Sequence, residues 1–170
     1  VQALRERMRA ELVADPRRHY AVQLDYITSR GAWYMASWKG DERRSGGIVT
    51  NIGVHFFDML LWIFGEAGEV SVDRLEDDHA RGRIGFANAT VDWFLSINPS
   101  HLPEAEAAGG KRTFRSIRVD GEEMEFSDGF TDLHTASYSD ILAGGGFGIA
   151  EARPSIALVH AIRTGARQRA

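Results

Sequence analysis

The chain lacks several features that define large classes of proteins. Its 170 residues include no cysteine, which excludes disulfide bonds, zinc–thiolate sites and catalysis by a thiol. It also lacks a basic excess, because the net charge is −4 at pH 7, whereas a general nucleic-acid-binding protein normally carries one. These absences favour a cytoplasmic protein that does not bind nucleic acid.

Long apolar runs are absent as well. The longest, residues 56–64, is interrupted by Asp58 and falls well short of the roughly 20 residues that span a bilayer. The N-terminus reads as an amphipathic helix of mixed charge rather than a signal peptide, so we expect no membrane partner. With 44% hydrophobic and 26% charged residues, residues 1–170 are typical of a single globular domain with one core.

The patterns that are present predict both helices and strands. Period-2 alternation predicts strands at residues 19–29, 70–76, 82–87 and 90–98, and a hairpin of 112–119 with 122–126 across Asp120-Gly121. Helical patterns cover residues 2–14, 46–64, 132–143 and 151–167, and residues 30–45 read as a long loop. This order predicts an α+β fold, with an open, largely antiparallel (mixed) sheet and helices packed on one face.

A dinucleotide-binding loop is not found. Such a loop needs G-x-G-x-x-G between a strand and a helix, and the only candidate is the glycine run at residues 144–148. There the third glycine position falls on Ile149, and the preceding segment is helical. We therefore expect no Rossmann domain within these residues.

The most informative motif is a pair of glycines followed by an apolar helix with three polar residues. On a helix, Asn51 and His55 project from one face, and His55 and Asp58 are close enough to meet. Buried polar groups without partners cost about 1–3 kcal/mol each, so these groups are expected to be partnered or used. Two interpretations stay open: a hydrogen-bonded core histidine, with Asp58 fixing its tautomer or capping a neighbouring element, or a catalytic histidine.

The preceding segment supplies cations and aromatic faces. Cationic side chains can bind a carboxylate or a diphosphate, and aromatic rings can stack on a sugar or a base. The candidates are Arg30, Lys39 and Arg44 for charge, and Trp33, Tyr34 and Trp38 for stacking. The alternatives are core packing for the two tryptophans and simple surface charge for each cation.

The run Asp77-Asp78-His79 resembles a metal site only by composition. A solvated turn explains it better, and no metal is predicted anywhere in the chain. His101 matches no pattern that suggests chemistry.

Taken together, long stretches of the chain resemble the C-terminal domain of the Gfo/Idh/MocA oxidoreductases. Within that family they are most similar to the bacterial UDP-N-acetylglucosaminuronic acid 3-dehydrogenases of lipopolysaccharide O-antigen sugar biosynthesis. The matching stretches are residues 27–34, 37–41, 45–58, 125–135 and 146–156.

This resemblance implies a two-domain enzyme whose NAD-binding Rossmann half precedes residue 1. The half in hand would cover the nicotinamide, bind the nucleotide-sugar substrate and form a homodimer or homotetramer through its sheet face. Where the wider family has an aspartate, this chain has Asn51, which cannot act as a base. The resemblance therefore assigns proton transfer to His55. It assigns substrate contacts to Arg30, Tyr34, Lys39, Arg44 and Asn51, and a supporting position next to these residues to Asp58.

Two other functions are kept open. A non-catalytic sugar-binding or oligomerisation module would be favoured by a broad apolar sheet face, with Trp93 and Leu95 pointing outward. The substrate domain of another Gfo-type sugar or inositol dehydrogenase is the second, although the loop cations favour a doubly anionic, nucleotide-linked sugar. On any of these readings the fragment alone is expected to be inactive, and the choice of NAD over NADP lies outside it.

Overall fold

The computed structural model of the chain describes residues 1–124 and 133–167. The predicted α+β class is confirmed: one mixed sheet carries its helices on a single face. The helices are α1 Gln2–Ala14, α2 Ala32–Ala36, α3 Glu42–Ser45, α4 Val54–Phe64, α5 Glu104–Ala108, α6 Leu133–Leu142 and α7 Ile149–Arg167. The strands are β1 Tyr20–Thr28, β2 Ala67–Leu75, β3 His79–Phe86, β4 Ala89–Ser96, β5 Thr113–Val119 and β6 Glu122–Glu123.

The sheet order is β2-β3-β4-β1-β5-β6. Strands β1 and β4 are parallel, and the other neighbours are antiparallel. The parallel pair brings the carboxyl ends of β1 and β4 to the same edge of the sheet. The segments that follow them, after Thr28 and after Ser96, therefore begin side by side.

One face of the sheet holds the core. In β1 the side chains of Tyr20, Val22 and Leu24 are buried, as the alternation predicts. Phe57 of α4 packs edge-on against Trp93 at 5.3 Å between ring centroids. Helix α7 lies against α4 and β2 and completes this layer.

The outward orientation suggested for Trp93 and Leu95 is wrong. Both are fully buried under the helices, because β4 pairs in register with β1 and places Trp93 beside Leu24. Paired residues in neighbouring strands share a face. The open face instead carries polar groups, including the Arg83–Asp92 ion pair at 2.7 Å, so it is not a broad apolar surface.

The prediction of a long loop at residues 30–45 is also wrong. This segment contains α2, a 3₁₀ turn at Trp38–Gly40 and α3. Short side chains stabilise these turns: Ser37 Oγ accepts a hydrogen bond from the Lys39 amide at 3.2 Å, and Asp41 Oδ1 accepts one from the Arg43 amide at 2.9 Å. Such caps compensate for the weak helical pattern of the segment.

The predicted hairpin turn is confirmed. Asp120 and Gly121 both have positive φ, 52° and 85°, as a type I′ turn requires. The beginning of the second strand, Glu122–Glu123, is seen, while residues 125 and 126 lie outside the described residues. So does part of one matching stretch, residues 125–132.

One helical stretch, Glu42–Phe64, has the length and apolar character to cross a membrane. Its mean hydropathy is 1.5, and 44% of its most apolar window is buried. Val49, Phe57 and Leu60 on this stretch are fully buried in the core beneath the helices. That position accounts for the apolar composition as core packing.

Candidate functional site

The two glycines before α4 form a tight turn. Gly46 and Gly47 have φ of 79° and 74°, a region that favours glycine over every other residue. A Cβ at Gly46 would clash with the side chain of Thr50, whose hydroxyl donates to the Gly46 carbonyl at 2.9 Å. The turn ends α3 and starts a π turn, Val49–Gly53, that leads directly into α4.

Asn51 lies in this π turn and faces back to the glycines. Its Nδ2 donates to the Gly47 carbonyl at 3.1 Å and to the Lys39 carbonyl at 3.5 Å. Ser45 Oγ donates to the same Lys39 carbonyl at 3.0 Å. Asn51 therefore joins the segment that carries Lys39 to the start of the helix, and π turns of this kind are frequent at functional sites.

The aromatic residues do not behave alike. Tyr34 is only 4% exposed, whereas Trp33 and Trp38 are 57% and 51% exposed. The two tryptophans are not core residues and offer free faces, but the ring of Tyr34 does not.

The Tyr34 hydroxyl is buried and has no hydrogen-bond partner of good geometry in the described part of the chain. Burial raises the pKa of the phenol, while the charge of Arg30 and the nearby amide of Asn51 lower it to a lesser degree. Asn51 is thus close enough to act on the hydroxyl without meeting it at hydrogen-bonding geometry. These influences place Tyr34, Arg30 and Asn51 in one neighbourhood.

The three predicted cations carry unneutralised charge. Arg30 and Arg44 are exposed, and within residues 1–124 and 133–167 none of Arg30, Lys39 and Arg44 has a carboxylate in ion-pair distance. The Lys39 ammonium lies 5.9 Å from the Trp38 ring centroid. Lys39 and Tyr34 also line a small cavity of about 50 Å³ beside the glycine turn.

His55 lies in a different place, on the exposed side of α4. It lines an open groove of about 740 Å³ between α4 and the start of α7, together with Asp58, Trp62, Phe147 and Ile156. This exposure contradicts the core-histidine interpretation. The imidazole is accessible to a ligand.

The described side chains do not link the groove to the glycine turn. No hydrogen bond joins His55 to Asp58 or to Asn51 among them, so orientation of His55 by Asp58 stays a prediction. The structure brings Tyr34, Lys39 and Asn51 together and places His55 beside Asp58. Arg44 is exposed on α3 and belongs to neither of these two groups.

The described residues contain no group of three or more His, Asp or Glu side chains placed to hold a metal ion. For a dinucleotide, the turn at Gly46–Gly47 lacks the strand–G-x-G-x-x-G–helix arrangement. The groove is lined by the exposed Phe147 and by Trp62, whose ring centroid lies 4.1 Å from the Arg5 guanidinium.

A hydrogen-bonded network near the end of β4 was missed from the sequence. Asp78 Oδ1 lies 2.7 Å from His79 Nδ1, and Asp78 Oδ2 accepts from Asn98 Nδ2 at 2.7 Å. His101 Nδ1 lies 2.8 Å from Ser96 Oγ. The signal available in the sequence is Asn98 before Pro99, because this asparagine caps the 3₁₀ turn Pro99–His101. Its partner Asp78, twenty residues away, leaves no local trace.

The described fold is an open mixed sheet, with an accessible histidine on the helix that follows a Gly-Gly turn. The chain belongs to the Gfo/Idh/MocA oxidoreductase family: residues 18–167 match the model of its C-terminal alpha/beta domain.

Solved structures agree with this assignment. The WlbA (WbpB) dehydrogenase from Thermus thermophilus in complex with NAD and alpha-ketoglutarate is 50% identical, with a TM-score of 0.87, over 96% of this chain and 51% of that one. Its complex with NAD and UDP-GlcNAcA matches at 47% identity and a TM-score of 0.83, over 94% and 51% of the two chains. The WlbA dehydrogenase from Bordetella pertussis, at 19% identity and a TM-score of 0.67 over 98% and 58%, shares the fold. The chain spans about half the length of the Thermus thermophilus relatives.

Proposed function

We propose that this chain is the substrate-binding half of an NAD-dependent dehydrogenase that oxidises the 3-hydroxyl of UDP-N-acetylglucosaminuronate in lipopolysaccharide biosynthesis. The observation that carries the proposal is 50% identity, over 96% of the chain, to a dehydrogenase that binds NAD. A structure of that dehydrogenase also contains UDP-GlcNAcA. The exposed His55 in an open groove supplies the chemistry that such a reaction needs.

In this proposal His55 acts as the base. Oxidation of a secondary alcohol breaks the O–H and C–H bonds at one carbon, and bound NAD⁺ supplies the acceptor for the hydride. His55 receives the hydroxyl proton, because histidine is the side chain that most often acts as a general base. Asn51 cannot take a proton, and its two bonds to backbone carbonyls fit an orienting role.

The substrate's negative charges are assigned to the free cations. Arg30, Lys39 and Arg44 lie in the segment before the glycine turn and form no ion pair with a carboxylate among the described residues. A uronate and a diphosphate would provide those partners. The exposed faces of Trp33 and Trp38 are available for the uracil or the sugar, whereas Tyr34 is buried, hydroxyl included, and supports the site beside Asn51.

The cofactor is assigned mainly to a nucleotide-binding half outside these residues, because the relatives are about twice as long. The fragment alone is then inactive. We further propose a cytoplasmic homodimer or homotetramer through the open sheet face, without nucleic-acid or membrane partners. That face is polar, with ion pairs such as Arg83–Asp92, so assembly would rest on matched charges rather than on apolar burial.

The test uses the natural full-length protein. With UDP-N-acetylglucosaminuronate, and with 2-oxoglutarate to reoxidise NADH, we expect formation of the 3-keto sugar. We expect His55→Ala to slow it by about 10²- to 10⁴-fold without lowering the thermal unfolding midpoint. Arg17→Ala is the control, an exposed residue of the turn after α1, far along the chain from the groove.

Two results would overturn the proposal. One is a parent enzyme that leaves the uronate unchanged. The other is a His55→Ala variant that keeps full turnover. Equal turnover of UDP-N-acetylglucosamine would remove the carboxylate role of the loop cations and favour a different sugar substrate.

A further inference from the structure

We propose that Asp78 is a positioning residue for Arg30, acting through the backbone of Ile97 at the carboxyl end of β4. The kinetic part of this inference rests on the proposed function, in which Arg30 binds an anionic group of the substrate. The structural part does not, because it concerns only how the Arg30 backbone is held.

The carboxylate of Asp78 is held on both oxygens. His79 Nδ1 lies 2.7 Å from Oδ1, and Asn98 Nδ2 donates to Oδ2 at 2.7 Å. The hydrogen bond with His79, followed by that with Asn98 and the charge of the nearby imidazoles, keeps the pKa of Asp78 below its usual range despite partial burial. Asp78 is therefore an ionised acceptor that joins the β2–β3 turn to the segment after β4.

The backbone of Asp78 continues this connection. Its carbonyl accepts from the Ile97 amide at 2.8 Å, and the Ser96 hydroxyl lies 3.4 Å from it. The Ile97 carbonyl in turn accepts from the Arg30 amide at 3.3 Å. A continuous path of three residues thus leads from Asp78 through Ile97 to Arg30.

The position of Arg30 depends on its backbone bonds, because its side chain is held by few contacts. The residue is exposed, and its guanidinium has no ion-pair partner in the described residues. The neighbouring Ser29 amide donates to the carbonyl of Arg112, the residue before β5, at 2.7 Å, so one side of this position is fixed there. The Ile97 bond fixes the other side, and Asp78 holds Ile97.

The two histidines complete the cluster rather than form a metal site. The rings of His79 and His101 are 5.0 Å apart and nearly perpendicular, and the Phe94 ring lies 5.5 Å from His101. His101 Nδ1 is engaged with Ser96 Oγ at 2.8 Å. Both rings therefore lie against each other and against Phe94, beside the segment that contains Ile97.

The first test measures amide hydrogen exchange in the full-length protein. Asp78→Ala removes the carboxylate bonds to His79 and Asn98 but keeps the backbone carbonyl that accepts from Ile97. Because the carboxylate fixes that carbonyl, we expect the variant to speed exchange of the Arg30 and Ile97 amides by about tenfold. Asp73→Ala is the matched control, since it removes an exposed carboxylate from the preceding strand, β2. The Leu24 amide in the core reports whether the variant remains folded. Unchanged protection of Arg30 and Ile97 in Asp78→Ala would overturn the inference.

The second test is kinetic. Asp78→Ala should raise KM for the UDP-uronate about five- to tenfold with kcat within about twofold, because a misplaced Arg30 weakens binding rather than chemistry. Asp78→Asn keeps one acceptor oxygen and should recover part of the affinity. A proportional fall of kcat with unchanged KM would overturn the inference. If the parent enzyme does not oxidise the uronate at all, the proposed function fails, while the exchange measurement still decides the role of Asp78.

Discussion

The polar groups of the glycine turn and those of the groove differ in whether they have hydrogen-bond partners within the protein. At the glycine turn, Ser45, Thr50 and Asn51 each donate to a backbone carbonyl. In the groove, His55 and Asp58 lie beside apolar walls without a hydrogen bond from any described residue. Polar groups that are satisfied internally fix structure, whereas accessible unpartnered ones are available to a ligand. The glycine turn is therefore held in place by the protein itself, whereas His55 and Asp58 remain accessible to a ligand.

Gly46→Ala, in the glycine turn, gives the largest expected loss of stability. Alanine at a φ of 79° is strained, and its Cβ would meet the side chain of Thr50. We expect the free energy of unfolding to fall by about 2–3 kcal/mol, measured by urea denaturation. The matched control is Gly110→Ala, which has a φ of 74° but open space around the new Cβ, and should cost only about 1 kcal/mol. Equal losses in both variants would show that the Thr50 contact is unimportant.

Asn51→Asp is expected to have the next largest effect. It introduces the residue that the wider family carries, but a carboxylate cannot donate to the carbonyls of Gly47 and Lys39. We expect a loss of about 1–2 kcal/mol at neutral pH that shrinks in acid, where the new carboxyl becomes a donor. Asn51→Ala separates loss of the bonds from charge repulsion. Wild-type stability in Asn51→Asp would mean that Asn51 does not hold the turn.

Asp58→Asn, in the groove, is expected to have the smallest effect on stability. The residue is exposed and has no described partner, so its substitution should change the free energy of unfolding by less than about 0.5 kcal/mol. Chemical denaturation of the variant beside the parent checks this. A loss above about 1 kcal/mol would show that Asp58 in the groove also stabilises the fold, and the contrast between the glycine turn and the groove would disappear.

Much of the fold follows from local pattern. The alternation of Val22, Leu24 and Tyr26 specifies which face of β1 is buried, and Asp120-Gly121 specifies a tight turn, because both depend only on backbone preferences of neighbouring residues. The short helices between residues 30 and 45 were missed since they depend on side-chain caps and packing rather than on a periodic pattern.

The candidate site was predicted only in part. Asn51, Tyr34 and Lys39 do lie together around the glycine turn, in agreement with their grouping in one segment of the chain. The groove around His55, however, needs Phe147 and Ile156, about a hundred positions further on. The Asp78–Asn98 bond likewise joins separate strands, and no local pattern announces it.

By itself the sequence determined the order of the longer helices and of the strands, the glycine turn, the hairpin turn and the family. These are consequences of periodicity, of positive φ and of long matching stretches. Only the tertiary structure decided that Tyr34 is buried while Trp33 and Trp38 are exposed, that Trp93 points inward, and that His55 opens onto a groove. The physical reason is that burial and hydrogen bonding of a side chain depend on the elements packed against it, and those elements are distant in the chain.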